Sequence, residues 1–312
     1  MAGTKDLPCT AGAAGFAVEL ALADGPVPTG LPPLAGLLCE RLFGAPRADG
    51  RAGLFSLARS GAWQLGAARV DPRGNIAQAT HRLYDSLLAA TEGRRLARIW
   101  NYVPAINVPE RDGLETYRAF CRGRSLAFEA AFGREFREVI PAASAVGTDA
   151  AELTVVFAAT TGMLRHFENP RQVPAWDYPP EYGPRPPSFA RATVAADAAG
   201  GDMVFISGTA AIRGHASVAP GDTGEQLACT VENLREISCA CGLGPDMARG
   251  RAGTRHFKVY LRQAGDLPTV RAALERGLVT PRDQVSYLRS DICRRELNIE
   301  IEATITGVGI EG

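Results

Sequence analysis

The sequence predicts an α+β protein made of two copies of one unit, each a mixed sheet covered by helices on one face. Three observations predict this. Strands of period two alternate with amphipathic helices, and their order, strand-strand-helix-strand-helix-strand-strand, occurs in the second half and nearly recurs in the first. A proline-dense stretch, "NPRQVPAWDYPPEYGPRPPS" (169–188), separates the two occurrences. The chain has 312 residues, 46% of them hydrophobic, which suits two cores better than one. The expected division is therefore 1–168 for the first unit, 169–188 for an ordered linker and 189–312 for the second unit.

In the first half, "GFAVELALA", "RAGLFSLARS" and "AWQLGAARV" read as strands. "NIAQATHRLYDSLLAAT" (75–91) reads as a helix, "LARIWNYVPAI" (96–106) as a strand and "GLETYRAFCRGRSLAFEAAFG" (113–133) as a longer helix. "ASAVGT" and "ELTVVFAATTG" close the unit as strands. Trp100 and Tyr102 fall in a strand, where packing is their expected role. Gly123 sits inside a helix at a cost of about 1 kcal/mol against Ala, which would let a ligand approach Arg124.

Proline at the density of 169–188 permits neither helix nor central strand. Trp176, Tyr178 and Tyr182 would rest against something, so the segment reads as an extended chain laid over a surface and lining a cleft. In the second half, "FARATVAADA" and "DMVFISGTAAI" are strands around an Ala-Gly-Gly-Asp turn. "TGEQLACTVENLREISCACG" is a helix, with Thr223 and Gln226 forming a capping box and Gly242 as the stop. "RHFKVYL" is a strand, "DLPTVRAALERGL" a helix capped by Asp266, and "QVSYLRSDI" and "ELNIEIEATITG" the last strands. In the last of these, Ile299, Ile301 and Ala303 alternate with Glu300 and Glu302, giving one apolar and one acidic face. A bare strand of this kind is ordinarily wet on its acidic side.

The 34 basic and 34 acidic residues cancel, so composition predicts no nucleic-acid or membrane-surface partner. No run approaches the roughly 20 apolar residues that span a bilayer, and residues 14–25 read as a strand rather than a secretion signal. Seven cysteines, at 9, 39, 121, 229, 239, 241 and 293, read as reduced thiols of a cytoplasmic protein. The four histidines show no metal-binding spacing, so no metal is expected.

"VFISGTA" (204–210) followed by "IEIEA" (299–303) resembles the YjgF/RidA fold, a chorismate-mutase-like unit whose sites lie at subunit interfaces. Taken with "RIWNYVPAIN", "YRAFCRGRS", "YGPRPPSFARA", "SGTAAIRGH" and "CRRELNIEIE", the chain from about Leu96 onward is similar to the chorismatases. That resemblance implies removal of the enolpyruvyl group of chorismate as pyruvate, with no cofactor, by a monomer or small homo-oligomer. It places the family's acid at Glu300. It places at Cys293 the cysteine that accompanies the aromatising branches, which give 3-hydroxybenzoate or a mixture of 3- and 4-hydroxybenzoate. It places substrate-binding roles on Tyr117, Arg124, Arg185 and Tyr182, and a small branch-determining position at Gly208 or Ala210, between which it does not choose. Hydrolysis to the dihydroxycyclohexadienoate, a RidA-type imine deaminase and a non-catalytic metabolite-binding module are the alternatives.

The chemistry asks for these residue types. Chorismate is a dianion, and a guanidinium matches a carboxylate as a bidentate pair. Enol-ether cleavage begins with protonation of the terminal methylene, so the acid must hold its proton near neutral pH, whereas a free Glu titrates near ~4.3. Burial of the acidic strand face against the other unit would raise Glu300, and Glu302 on the same face would raise it further. Cys293 would exclude water from the reacting centre and favour aromatisation. No neighbouring His is evident to activate it as a nucleophile. Arg213 and His215 are expected at the rim.

Overall fold

The computed structural model describes residues 15–196 and 201–310. The first unit contains β1 (Phe55–Ser60), β2 (Trp63–Val70), α1 (Ile76–Ala90), β3 (Arg95–Pro104), α2 (Thr116–Phe132), β4 (Ala142–Thr148) and β5 (Leu153–Thr160). The second contains β6 (Ala192–Ala195), β7 (Asp202–Ala210), α3 (Thr223–Ala240), β8 (Thr254–Leu261), α4 (Leu267–Gly277), β9 (Gln284–Arg289) and β10 (Ile299–Val308). The repeated order holds in space as well. Each unit starts with an antiparallel hairpin, and its last strand inserts between its second and third. The sheets run β1-β2-β5-β3-β4 and β6-β7-β10-β8-β9. In each, the third and fourth strands are parallel and joined through a helix, as a parallel connection requires. The chain is thus built from two copies of one α+β unit.

Three apolar clusters follow from this layering. α1 and α2 cover the outer face of the first sheet, and α3 and α4 cover that of the second. The two inner faces pack on each other, joining Trp63, Trp100 and Tyr102 to Phe205, Tyr260 and Leu288. Phe205 meets Trp63 and Trp100 edge-on, with ring centroids at 6.1 and 6.0 Å, a favoured aromatic geometry. Trp100, Tyr102 and Tyr260 therefore have the packing role expected of them. β5 is buried along its whole length because it is central in its sheet and covered on both faces, which is why it reads as an unbroken apolar run.

Several details differ from the sequence expectation. "RAGLFSLARS" is two strands, Arg47–Ala52 and β1, separated by a turn with Gly53 at φ 53°. The strands Pro33–Gly36 and Leu164–Phe167 both precede the proline segment, yet they extend the second sheet, beside β9 and β6 respectively. Pro33 is tolerated there because the strand is an edge. The cap of α3 is Asp222, whose side chain accepts from the Glu225 N–H. Thr223 instead donates to Asp266 Oδ2, which leaves α4 without a side-chain cap. Gln226 ties the helix to the tail, donating to Glu296 O and accepting from the Asn298 N–H. A Cβ on Gly123 would lie 2.2 Å from Ala77 O, so this glycine admits α1 against α2 rather than a ligand. Cys121, Cys229, Cys239, Cys241 and Cys293 are free thiols, but Cys39 is disulfide-bonded, contrary to a fully reduced set. Cys9 and part of the Ala-Gly-Gly-Asp turn lie outside the described residues. Among the described residues, no helix is long and apolar enough to cross a membrane.

Candidate active site

β10 carries the alternation into two different environments. Ile299, Ile301, Ala303 and Ile305 enter the helix-covered core, while Glu300 and Glu302 face the first sheet, 3% and 2% exposed. The acidic face is dry because the other unit packs on it.

The two carboxyl groups then diverge. Glu302 is ion-paired to Lys258 Nζ at 2.6 Å and Arg98 Nη2 at 2.8 Å, and accepts from Trp100 Nε1 at 2.9 Å. Although burial works against its charge, Lys258 and Arg98 hold its carboxyl well below the usual carboxylate range. Lys258 also pairs with Glu40 Oε2 at 2.5 Å, so the network bridges both units and the short strand Cys39–Arg41. Glu300 has no such partners among the described residues. Burial first, and the charge of Glu302 second, push its carboxyl up to about 8, with Arg98 and Arg191 opposing. Two carboxyl groups pushed apart by their surroundings are the usual arrangement for acid-base chemistry near neutral pH.

Glu300 opens onto a cavity of about 120 Å³ between the units. Its carboxyl occupies the space a side chain at position 208 would need: a Cβ on Gly208 would lie 2.0 Å from Glu300 Oε1. Ala210 pairs with Glu300 in the β7–β10 register. Gly208 and Ala210 both line the cavity, and Gly208 is the one in direct contact with the acid. Gly208→Ala is expected to displace the Glu300 carboxyl and lower turnover by about 10²-fold, the scale of a 1 Å misplacement. Thermal unfolding is expected to change little, and a steady-state rate measurement checks the effect.

Cys293, Tyr117 and Tyr182 line the same cavity. Burial and then the neighbouring Glu300 push the Cys293 thiol up, so it stays protonated. Burial likewise raises the Tyr117 hydroxyl, which lies near Cys121 and Cys293. Tyr182 Oη meets His215 Nδ1 at 3.2 Å, which brings His215 to the rim, whereas Arg213 is turned out to Glu232. The proline segment contributes Tyr178, Tyr182 and Pro187 to the cleft, and it is interrupted by two short 3₁₀ turns, Ala175–Asp177 and Pro180–Tyr182, rather than extended throughout. Trp176 packs on the first unit's helical core.

Two expected arginines are not among the side chains lining this cavity. Arg124 is buried on α2 with its guanidinium over Phe120 and beside Cys121 and Tyr84. Its charge is felt at the site by Tyr117. Arg185 is paired to Glu129 at 2.5 Å and is partly exposed, because the segment carrying it runs along α2. The lining arginines are Arg118, Arg191, Arg294 and Arg295. Arg191 lies just before β6, with Nη2 donating to Tyr178 Oη at 2.8 Å. Arg294 stacks on Tyr182 at 4.1 Å and on Tyr178 at 5.3 Å. Its Nη1 donates to His215 O and Ser217 Oγ. Its Nη2 is buried and has no hydrogen-bond partner among the described residues. Both arginines stand inside stretches whose pattern is recognisable, "SFARA" and "CRREL", but spacing gives no sign of which guanidinium turns inward. Among the described residues, no group of three or more His, Cys, Asp or Glu side chains could hold a metal ion.

Residues 42–159 match the family model "Chorismatase FkbO/Hyg5-like, N-terminal". The chain is 38% identical over 262 residues to a 3-hydroxybenzoate synthase of Streptomyces hygroscopicus, covering 80% of this chain and 76% of the relative. It is 38% identical over 268 residues to a chorismatase of Streptomyces rapamycinicus, covering 83% and 79%. A crystal structure of a chorismatase superposes with a TM-score of 0.75 at 30% identity, covering 97% of this chain and 96% of that one. With more than two thirds of such relatives matched at this identity, the chain belongs to the chorismatase family.

Proposed function

We propose that the protein cleaves chorismate to pyruvate and 3-hydroxybenzoate, with Glu300 as the general acid. The observation that carries this reading is the Glu300 carboxyl, buried against Gly208 and pushed up to about 8, on a cavity bordered by arginines. Arg191 and Arg294 grip the two carboxylates of the substrate. A hydrogen bond to a charged group contributes about 1.5–3 kcal/mol, and the unpartnered Arg294 Nη2 is matched by a ligand oxygen.

Glu300 gives its proton to the terminal methylene of the enolpyruvyl group, leaving an oxocarbenium carbon and a carboxylate. Attack on this electrophile by the substrate's own oxygen, then loss of pyruvate and aromatisation, gives the hydroxybenzoate. Chorismate equals pyruvate plus 3-hydroxybenzoate in atoms, so no water is consumed. The proton lost on aromatisation balances the one Glu300 lent. Water attack would instead give the dihydroxydiene. Cys293, a protonated thiol beside the acid, occupies space that water would otherwise take.

Incubation with chorismate, following pyruvate by a coupled assay, tests the activity. An imine deaminase or a binding module would leave chorismate intact. Cys293→Ala is expected to retain cleavage but raise the share of dihydroxydiene severalfold, read by mass analysis of the product. An unchanged ratio removes the steering role from Cys293.

A further inference from the structure

Behind Arg191, on the side away from β7, stands a carboxyl that lies outside the cavity lining. Glu168, just past the strand Leu164–Phe167, accepts from the Arg191 backbone N–H through Oε1 at 3.0 Å. Its other oxygen, Oε2, faces Arg191 Nε at 3.9 Å. Both of these atoms are buried, and neither has a hydrogen-bond partner among the described residues. The pair is therefore charge-matched without being hydrogen-bonded. The guanidinium is otherwise held by neutral groups, the Tyr178 hydroxyl and Val173 O, and lies over Phe189 at 5.0 Å. Arg191 is 5% exposed, and Glu168 is its one carboxylate within ion-pair distance among the described residues.

Around Glu168 the other charges are sparse. Asp177, on the proline segment, adds a negative charge and is itself paired with Arg137 at 3.0 Å. His166, two residues back on the same strand, turns to Thr193 Oγ1 instead.

We propose that Glu168 is a positioning residue that acts as a replaceable counter-ion for Arg191. It balances the guanidinium while the cavity is empty, and takes up a proton from solvent when a ligand carboxylate takes its place. The physical reason is that a buried cation needs an anion nearby, and a buried anion that loses its cation is driven to its neutral form. Burial already pushes the Glu168 carboxyl up to about 7, with Arg191 opposing. A ligand that occupies Arg191 weakens that opposition and leaves Glu168 beside Asp177. Binding is then linked to proton uptake, and affinity falls by up to about tenfold per pH unit above neutrality. The inference rests on the reading that Arg191 receives a carboxylate of chorismate. It adds a residue and a proton count that the cleavage chemistry does not require.

The test is calorimetric titration of chorismate into Glu300→Gln protein at about pH 8, in two buffers of different ionisation enthalpy. That background slows turnover by about 10²–10⁴-fold and removes the titration of Glu300. Tyr117 and Cys293 are pushed up by burial and stay protonated in this range. The expected result is uptake of more than about half a proton per site, with Kd weakening up to about tenfold per unit as pH rises. In Glu168→Gln/Glu300→Gln the amide oxygen still accepts from the Arg191 N–H, while uptake disappears and Kd becomes flat with pH. A purely structural Glu168 would change Kd but not the proton count. Equal uptake by the two proteins overturns the proposal. So does the absence of uptake and of pH-dependent Kd in the Glu300→Gln parent, which decides the matter even where the double variant does not fold. Failure of the wild-type protein to release pyruvate from chorismate overturns the proposed function instead, so the two failures are distinguishable.

Discussion

Glu300→Gln is expected to lower pyruvate release by about 10²–10⁴-fold, the range for loss of a positioned general acid, while chorismate affinity at neutral pH stays within a few-fold. The amide is nearly isosteric with the protonated carboxyl, so the contact with Gly208 survives and only the transferable proton is lost. Wild-type kcat is expected to fall about tenfold per unit above pH ~8, because the acid is then ionised. A steady-state profile of pyruvate release checks both. Turnover that persists at the wild-type rate in Glu300→Gln would remove Glu300 from the acid role.

The same substitution carries a stability signature of the opposite sign. The folded-state carboxyl lies at about 8, above the unfolded value near ~4.3. The folded protein therefore binds this proton more tightly than the unfolded chain. That contribution is fully present below pH ~4.3 and is lost as pH rises through about 8. The full span amounts to roughly 5 kcal/mol as an upper figure, at 1.36 kcal/mol per unit. Glu300→Gln carries no charge to desolvate. Above pH ~8 it is expected to be more stable than wild type by a few kcal/mol, a gain that vanishes near pH ~4. Urea unfolding at the two pH values separates this from a general effect of the substitution.

The second large effect is expected at the other carboxyl. Glu302 is buried and paired to Lys258 and Arg98. Glu302→Ala or Lys258→Ala leaves an uncompensated charge between the sheets and is expected to cost about 3–5 kcal/mol, measured by urea unfolding. Replacing Lys258 and Glu302 together with apolar residues of similar volume leaves the net charge between the sheets unchanged, although Glu40 and Arg98 each lose a partner, and is expected to cost less than the sum of the two single changes. Glu302 is held below the usual carboxylate range. Its contribution is therefore present at and above the ordinary carboxylate range and is lost as pH falls below it. The two neighbours on one strand face thus give opposite pH slopes: Glu300 weakens the fold toward alkali, and Glu302 weakens it toward acid. A variant lacking Glu300 should keep the acid limb and lose the alkaline one.

Much of the fold was legible in the chain. Helices with clear period, such as 75–91, appear nearly where the pattern places them, and the structure makes Asn75 the cap, its side chain accepting from the Gln78 N–H. The repeated element order survives as a repeated sheet order. The strands that escaped the reading are short and rich in proline or lack alternation, such as Pro33–Gly36. They are strands because an edge was open to them, which is a property of the partner. The cap of α3 was misplaced by one residue, since Asp222 and Thr223 are both competent caps and Thr223 is drawn off by Asp266.

The sequence by itself determined the alternation that puts Glu300 and Glu302 on one face of the last strand, the doubled unit, and the family pattern around Cys293 and Tyr117. Tertiary structure alone decided that this face is dry, that Glu302 keeps its charge while Glu300 keeps its proton, and that Arg191 and Arg294 border the cavity where Arg124 and Arg185 do not. The reason is that alternation reports only which side of a strand a residue lies on. Whether that side meets water, a counter-ion or a cavity depends on what the rest of the chain packs against it. For a carboxyl or a guanidinium, that surrounding is what sets the charge state.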